Sequence, residues 1–340
     1  MVQVLLAGII AMVISIAAGP KFIEFLRRNE FGQTIRAEGP ETHIGKQGTP
    51  TMGGLLIMAS MVVPFLVFSH RTLQALTVFA VTLGCAAIGF VDDWTKITHR
   101  RSLGLSGRWK MVLLALLTAL VAVVAERLGA EEGFDQTVYV PLVGVDLELS
   151  YGWYVLLFLM IAGTANGVNL TDGLDGLAAG TVTISLFTYT AMAVVAWIVS
   201  GGGGGGQQSQ LDLAILGSSL IGASIGFLWY NAFPAQVFMG DTGSLGLGGA
   251  IATFAVMTHT EVLLILIGGI FVIEALSVIL QVLSYRWTGK RIFLMAPVHH
   301  HFEMKAWSEA RIMVRFWIAA LIFCACAFVL FYRYFEFFRF

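Results

Sequence analysis

Charged side chains are scarce in this chain of 340 residues, where Asp, Glu, Lys and Arg together make up only 12%. Soluble domains carry about a quarter, and the mean hydropathy here is +0.82. An ordinary soluble domain is therefore excluded, and an integral membrane protein is indicated. Cysteine is rare as well: Cys85, Cys324 and Cys326 lie in apolar runs, without paired spacing and without acidic or histidine neighbours. Neither a disulfide framework nor a zinc site is therefore indicated.

The familiar nucleotide-binding motifs are also missing. The chain has no GxxxxGKS/T sequence, and no GxGxxG sequence stands between a predicted strand and a predicted helix. Any nucleotide site in this protein is therefore expected to be neither a P-loop nor a Rossmann site.

Apolar runs recur from one end of the chain to the other. A helix needs roughly 17 to 25 residues to cross a bilayer. The sequence predicts ten such helices, at 2–20, 53–69, 73–91, 110–125, 152–167, 174–199, 212–230, 242–259, 262–285 and 312–332. We therefore expect an all-α integral membrane protein in which residues 1–340 form a single polytopic domain.

The basic residues are unevenly distributed between the two sets of connections. Sixteen of the twenty Lys and Arg residues fall on one side and four on the other. Basic residues near helix ends resist translocation, so the richer side is expected to be cytoplasmic. This predicts periplasmic termini and five cytoplasmic loops. On the periplasmic side, residues 137–150 alternate around Gly144, which predicts a short β-hairpin.

The first acidic motif follows about fifteen mostly apolar residues and contains Asp92 and Asp93. One interpretation is simply a charged helix end. Two adjacent carboxylates repel each other, however, and a cation or a raised pKa must relieve that repulsion. Lys96, four residues after Asp92, can supply part of the positive charge. A divalent cation such as Mg²⁺ or Mn²⁺ could supply the rest.

The third loop on the basic side repeats polar residues at a spacing of three: Asn169, Asp172 and Asp175. This spacing would place them on one face at the start of a helix. Asp172 could instead cap the helix predicted at 174–199. Capping explains one aspartate but not the set.

The fourth loop offers Asn231 as a polar group, Phe238 as a stacking surface and Asp241 before a run of small residues. Asp241 could cap the helix at 242–259. It is also placed where a metal-bound phosphate would be favourable, at a helix N-terminus.

The fifth loop contains three consecutive histidines, His299 to His301. Consecutive residues in regular structure cannot all face one metal ion, so contact with phosphate or handling of protons is the better interpretation. Acids that bind a divalent cation, beside bases that bind phosphate, are typical of phosphoryl transfer. We expect one substrate from the cytosol and the other from the bilayer.

Five segments of the chain also carry a family resemblance. They are KQGTPTMGG (46–54), GFVDDWTK (89–96), NGVNLTDGLDGLA (166–178), NAFPAQVFMGDTGSL (231–245) and PVHHHFE (297–303). In this order they resemble the cytoplasmic motifs of the phospho-N-acetylmuramoyl-pentapeptide transferases, within the polyprenyl-phosphate N-acetylhexosamine-1-phosphate transferase superfamily. The resemblance implies a ten-helix enzyme of the bacterial inner membrane with its active site on the cytoplasmic face.

The activity that the resemblance implies is the transfer of phospho-MurNAc-pentapeptide from UDP-MurNAc-pentapeptide to undecaprenyl phosphate. The products are lipid I and UMP, Mg²⁺ is the cofactor, and the step is the first membrane reaction of peptidoglycan synthesis. The resemblance also implies a homodimer, and it implies no nucleic acid among the partners of the protein.

The resemblance assigns roles to individual residues. It implies that Asp241 ligates Mg²⁺, that Asp92 and Asp93 serve the metal, the diphosphate or the lipid phosphate, with Asp92 a candidate base, and that His299 is catalytic. The positions implied to bind substrate are Lys46, Asn169, Asp172, Asp175, Asn231, Phe238, Gln281, His300 and His301.

Two other functions remain open at this point. A sister transferase would load GlcNAc-1-phosphate onto a polyprenyl phosphate, although PVHHHFE and GTPTMGG favour the muramyl-peptide branch. A cation-coupled transporter would place its acids near mid-bilayer in broken helices, whereas nearly all acids here collect at helix ends. For the chemistry, direct attack by the lipid phosphate is favoured over an aspartyl intermediate, because that phosphate is already an anion and needs positioning more than activation.

Overall fold

The computed structural model describes residues 1–29, 31, 48–99, 103–132, 136–201 and 205–335. Within these ranges the regular secondary structure is helical apart from one small antiparallel sheet. The elements are α1 (Val2–Arg28), α2 (Gly54–Phe68), α3 (Leu73–Thr98), α4 (Gly107–Glu132), β1 (Thr137–Val140), β2 (Val145–Glu148), α5 (Gly152–Thr171), α6 (Leu177–Val199), α7 (Gly205–Asn231), α8 (Gly240–Met257), α9 (Leu264–Ile267), α10 (Gly269–Thr288), α11 (Val298–Glu303) and α12 (Glu309–Arg333).

Eight helices in the described part of the chain are long and apolar enough to cross a membrane. They are α1, α3, α4, α5, α6, α7, α10 and α12. The protein is therefore a multi-pass membrane protein, as its composition indicated. The predicted count of ten also includes α2 and α8, which are 15 and 18 residues long. That count and the orientation of the termini remain predictions.

The prediction of one continuous helix at 262–285 is wrong. The run predicted as a single helix at 262–285 is divided into α9 and α10, with the break at Gly268. Hydrogen bonding continues through the break, because the Gly268 N–H donates to the Leu264 carbonyl at 2.7 Å and the Gly268 carbonyl accepts from Val272 at 2.9 Å. Two adjacent glycines lower helix propensity and allow the chain to change direction there.

Helix α8 lies at the centre of the bundle, since every residue from Asp241 to Met257 is buried. It packs against α2, α3, α5 and α6. Gly89 and Gly54 are two of the glycines that this packing requires. A Cβ at Gly89 would lie 2.1 Å from the Asp241 carbonyl oxygen, and one at Gly54 would lie 2.1 Å from the Gly243 nitrogen. Helices α2 and α3 therefore contact the backbone of α8 directly at the end that carries Asp241.

The predicted β-hairpin is confirmed. Strands β1 and β2 pair in antiparallel register, with Thr137 opposite Glu148 and Val140 opposite Val145. Gly144 occupies the turn with φ of +67°, a left-handed conformation that favours glycine. Of the three cysteines, Cys85 and Cys324 are buried as expected for core residues, whereas Cys326 is exposed on the outer side of α12.

At the opposite end of the bundle from Asp241, α7 holds the start of α3. The Asp212 carboxylate is fully buried and accepts the backbone N–H of His70 at 2.8 Å and that of Thr72 at 2.9 Å. These are donors that α3 and its preceding turn cannot satisfy within the helix. Asp212 therefore caps α3 across the bundle and connects it to α7.

We predict that Asp212→Ala lowers the free energy of unfolding by about 1–3 kcal/mol, because two N–H groups lose a buried acceptor. The thermal midpoint of the detergent-solubilised protein measures this. The matched control is Glu148→Ala, which removes an exposed carboxylate from β2 and is expected to change stability by less than about 0.5 kcal/mol. Equal losses in the two variants would contradict the capping role.

Candidate active site

Three of the predicted acids meet at one end of the bundle. Asp92 and Asp93 lie in the last two turns of α3, and Asp241 lies in the first turn of α8. Each offers a carboxylate oxygen, and these oxygens lie within 4.8 Å of one another. The residues are 1%, 3% and 8% exposed, respectively. Among the described residues, this is the one group of three or more His, Cys, Asp or Glu side chains with the geometry to hold a metal ion.

Two lysines compensate this concentration of negative charge. The Lys96 Nζ lies 2.6 Å from Asp92 Oδ2 and 2.9 Å from Asp241 Oδ1. The Lys110 Nζ, near the start of α4, lies 3.0 Å from Asp92 Oδ1 and 2.6 Å from Asp241 Oδ2. When all five groups are ionised, one negative charge remains uncompensated. The two ammonium groups occupy positions where a divalent cation would otherwise contact Asp92 and Asp241.

Lys96 was expected to relieve the paired aspartates, and its contact with Asp92 confirms this. Lys110 was not expected at the site, since the sequence shows it only as one basic residue among several. Nothing in its spacing points to Asp241, which is 131 residues further along the chain. The contact arises because α4 begins beside the ends of α3 and α8.

Asp93 anchors the start of α8. Its Oδ1 accepts the Asp241 N–H at 3.1 Å, and its Oδ2 accepts the Thr242 N–H at 2.9 Å and the Thr242 hydroxyl at 2.7 Å. The alternative in which Asp241 itself caps the helix is wrong, because Met239 is the N-cap residue and the capping carboxylate comes from α3. Gly240, with φ of +72°, leaves room for it: a Cβ there would lie 2.7 Å from Asp93 Oδ2.

Asp92 has different partners from its neighbour. Its Oδ1 accepts the backbone N–H of Leu105 at 2.7 Å, and both its oxygens contact lysine ammonium groups. The loop before α4 passes so close that a Cβ at Gly104 would lie 2.3 Å from Asp92 Oδ1. Asp92 is thus covered by a glycine-containing loop and turned towards cations, whereas Asp93 is committed to α8.

Asp241 is held in its ionised form. Burial alone would raise its pKa, but the charges of Lys96 and Lys110 hold the pKa of this carboxyl well below its usual range. An ionised carboxylate is the form that a divalent cation requires.

Asp172 lies beside the same centre without joining the three-acid group. It follows the last residue of α5 and accepts the Gly240 N–H. Burial and the neighbouring charges of Asp241 and Asp93 raise the pKa of Asp172 well above its usual range, although the Gly240 bond opposes this. This shifts the carboxyl towards its neutral form, which can donate a hydrogen bond to a ligand oxygen. Asp172 does not cap α6, whose N-cap is Gly176.

The other polar residues of these loops hold the loops to each other. The Asn169 amide donates to Ser244 Oγ at 2.9 Å, and Asp175 Oδ2 accepts the Ala235 N–H at 2.9 Å. The Asn231 carbonyl oxygen accepts the Gly176 N–H at 3.1 Å, and its amide donates to the Val237 carbonyl at 2.9 Å. Asn169 lies on α5, whereas Asp172 and Asp175 lie between α5 and α6. These three residues, at a spacing of three, therefore do not share one helix face.

Phe238 is half-buried, and its backbone is fixed against the segment before α2. Its N–H donates to the Pro50 carbonyl and its carbonyl accepts the Gly53 N–H, both at 2.8 Å. The Gln281 amide on α10 organises the following loop, accepting from Ile292 at 3.0 Å and Phe293 at 2.9 Å and donating to the Phe293 carbonyl at 3.0 Å. Lys46 lies outside the described residues.

The three histidines lie on the short helix α11 and have separate environments. His299 is fully buried and faces Glu274 on α10, with 3.0 Å between Nδ1 and Oε1. His300 packs its ring against that of His299 and pairs with Glu303. His301 accepts the Leu294 N–H through Nδ1 at 3.1 Å. Glu274 was missed by the sequence reasoning, although an acid inside an apolar run is itself a signal of function.

The geometry of the three acids fits a divalent cation. Hard carboxylate oxygens suit such ions, and Asp92 and Asp241 direct theirs at ammonium groups that an incoming cation could displace. These two residues would hold the ion, whereas the oxygens of Asp93 are occupied by α8. Buried acids, lysines and a bilayer-spanning scaffold together define a membrane-embedded enzyme of the phosphoryl-transferring type.

The sequence of the chain matches two known protein families. Residues 75–259 match the family described as glycosyl transferase family 4, and residues 46–58 match phospho-N-acetylmuramoyl-pentapeptide-transferase signature 1. Curated phospho-N-acetylmuramoyl-pentapeptide-transferases are similar to the chain over nearly its whole length. That of Geobacillus sp. (strain WCH70) is 46% identical, with 94% of each chain covered. That of Rubrobacter xylanophilus is 45% identical with 98% of each covered, and that of Bacillus subtilis is 46% identical with 94% and 95% covered.

The chain belongs to the phospho-N-acetylmuramoyl-pentapeptide-transferase family. The family resemblance inferred from the five motifs is thereby confirmed.

We predict that Asp93→Ala destabilises the start of α8. It leaves three donors there without an acceptor and is expected to lower the free energy of unfolding by about 1–3 kcal/mol. Asp93→Asn retains one acceptor oxygen and is expected to lose less. Glu148→Ala, which removes an exposed carboxylate from β2, is the matched control. If the thermal midpoints of Glu148→Ala and Asp93→Ala fell equally, the anchoring role of Asp93 would be refuted.

Proposed function

We propose that the protein transfers phospho-MurNAc-pentapeptide from UDP-MurNAc-pentapeptide to undecaprenyl phosphate, giving lipid I and UMP. The observation that carries this proposal is the buried group of Asp92, Asp93 and Asp241 with two lysines at one end of membrane-spanning helices. A site at a helix end is accessible both to a water-soluble nucleotide and to a lipid headgroup. The name of the relatives, phospho-N-acetylmuramoyl-pentapeptide-transferase, supports the identity of the transferred group.

Mg²⁺ is the cation that we propose for the acidic centre, held by Asp241 and Asp92. When bound, it would neutralise the diphosphate of the nucleotide substrate. The cation would displace the ammonium groups of Lys96 and Lys110 from the carboxylates, and these groups would remain within reach of the phosphate oxygens. The lysines that compensate the acids in this structure would then bind substrate phosphate instead.

The reaction that we propose is a direct displacement. An oxygen of the lipid phosphate forms a bond to the β-phosphorus of the UDP-sugar, and the bond from that phosphorus to the oxygen bridging it to the α-phosphate breaks, so that UMP leaves with the electron pair. Asp92 orients the lipid phosphate and accepts its remaining proton if it arrives protonated. The structure's tightly packed acids and fixed lysines suit a reaction in which catalysis consists mainly of positioning and charge neutralisation.

The site is proposed to face the cytoplasm in the bacterial inner membrane. Sixteen of the twenty basic residues belong to the loops and helix ends on that side, in line with the preference of basic residues for the cytoplasm. UDP-linked precursors are water-soluble, so they would reach the site from there. A homodimer is the assembly that we propose.

We predict that Asp241→Asn lowers the rate of lipid I formation at least about 100-fold while changing the thermal midpoint little, because it removes a metal-binding charge but hardly any volume. Radiolabelled transfer by the purified protein in Mg²⁺ measures the rate. Near-normal turnover of the variant would contradict the metal role of Asp241. Asp146→Asn, on the exposed strand β2, is the matched control and should turn over normally.

The proposed function itself is tested by assaying purified protein with undecaprenyl phosphate and either UDP-MurNAc-pentapeptide or UDP-GlcNAc. We expect release of UMP and formation of a lipid product with the first donor only, and no product in excess EDTA. Product formed only from UDP-GlcNAc would assign the protein to a sister activity. Solute uptake into vesicles without UMP release would refute the enzymatic proposal.

A further inference from the structure

A second buried ionisable pair lies outside the three-acid centre. Glu274 on α10 and His299 on α11 are both 0% exposed, and 3.0 Å separates Oε1 of the carboxylate from Nδ1 of the imidazole. A carboxylate can only accept a hydrogen bond, so Nδ1 carries the hydrogen and donates it. Glu274 thereby fixes both the orientation and the protonation of this ring nitrogen.

The outer atoms of this pair have no hydrogen-bond partner among the described residues. They are Nε2 of His299 and Oε2 of Glu274, both fully buried. Buried polar atoms in folded proteins almost always have a partner. A pair that served packing alone would be expected to satisfy both ends, so an unpartnered nitrogen indicates a partner that arrives with a ligand.

Nε2 of His299 lies against the backbone of Gly173. A Cβ at Gly173 would lie 2.3 Å from Nε2 and 2.9 Å from Cε1 of His299. The backbone of Gly173 therefore covers this edge of the ring. Gly173 directly follows Asp172, which accepts the Gly240 N–H beside Asp241. The unpartnered nitrogen thus faces the loop that carries Asp172 into the acidic centre.

Charge decides what kind of ligand atom would pair with Nε2. A buried carboxylate is strongly destabilised unless a positive charge accompanies it, and the ion-pair partner of Glu274 is His299. When His299 carries the positive charge of this ion pair, Nε2 also bears a hydrogen and acts as a donor. Phosphate oxygens are its natural acceptors.

We propose that Glu274 is a positioning residue: it holds His299 so that Nε2–H, once the Gly173 backbone shifts aside, donates a hydrogen bond to a phosphoryl oxygen of the nucleotide substrate. The proposal rests on the proposed function, whose donor supplies that diphosphate. The bond strengthens as negative charge develops on the leaving phosphate, so its effect falls mainly on kcat.

Substitutions at His299 separate its two nitrogens. In His299→Asn the amide nitrogen can replace Nδ1 as donor to Glu274, but nothing replaces Nε2. In His299→Gln the amide reaches the position of Nε2, but the donor to Glu274 is lost. We expect kcat to fall by about 100-fold in His299→Asn and by a smaller factor in His299→Gln.

Glu274→Gln tests the positioning role. Alone, it is expected to lower kcat by at least about 10-fold while KM for the UDP-sugar changes less than about 3-fold. In the His299→Asn background it is expected to lower kcat by less than about 2-fold further, because the nitrogen that it positions is already gone. The matched control is Glu261→Gln, another buried acid, which lies between α8 and α9 and should leave kcat unchanged.

Multiplicative losses in the double variant, or an unchanged kcat in Glu274→Gln, would overturn the proposal. A Glu274→Gln protein that fails to fold leaves the test to the His299 pair, in which a greater loss in the Gln variant than in the Asn variant would be contrary to it.

A second readout does not depend on turnover. Ring-¹⁵N-labelled histidine gives signals from seven histidines, and those absent in His299→Asn belong to His299. Addition of UDP with Mg²⁺ is expected to shift the Nε2 signal in the parent protein but not in Glu274→Gln. If the parent shows this shift but makes no lipid product, the proposed function fails and the nucleotide contact stands. Lipid product without the shift would retain the function and refute the contact.

Discussion

Compensation of three buried carboxylates by two lysines is the interaction on which this end of the bundle depends. Asp92, Asp93 and Asp241 could not approach one another in a poorly hydrated site without nearby positive charge, because their mutual repulsion is little screened there. Lys96 and Lys110 supply that charge from the end of α3 and the start of α4. The protein's own lysines thus offset the mutual repulsion of the three carboxylates.

Much of the architecture could be predicted from hydropathy alone. Every predicted apolar run corresponds to helical structure, because backbone polar groups in a bilayer must be satisfied within the segment. The hairpin was predicted from alternation around a glycine. The break at Gly268 was not, because an apolar run has the same periodicity whether one helix or two form within it. Helix ends differed too: α1 and α3 extend seven or eight residues beyond the apolar run, where hydropathy carries no signal.

The members of the acidic centre could be predicted from the sequence, but the separate contacts of each aspartate could not. The distribution of basic residues predicted that the loops with Asp92, Asp93 and Asp241 share one membrane face, and the structure brings these three acids together. Which aspartate anchors α8 and which faces the lysines depends on side-chain direction at consecutive helix positions across an interhelical contact. No spacing within the chain encodes that contact. For the same reason Lys110 was missed, while Asn169, Asp175 and Asn231 turned out to fasten the loops to one another.

The contact of Gly89 with the carbonyl of Asp241 has a consequence for how the enzyme can change. With no side chain between α3 and α8 at this point, the separation of the acids is fixed by two backbones in contact, and no choice of a larger residue at position 89 could adjust it gradually. Substitutions that alter this site without separating α3 from α8 are therefore expected in the surrounding loops. A compound that binds only the facing ends of α3 and α8 would leave resistance few routes that preserve turnover.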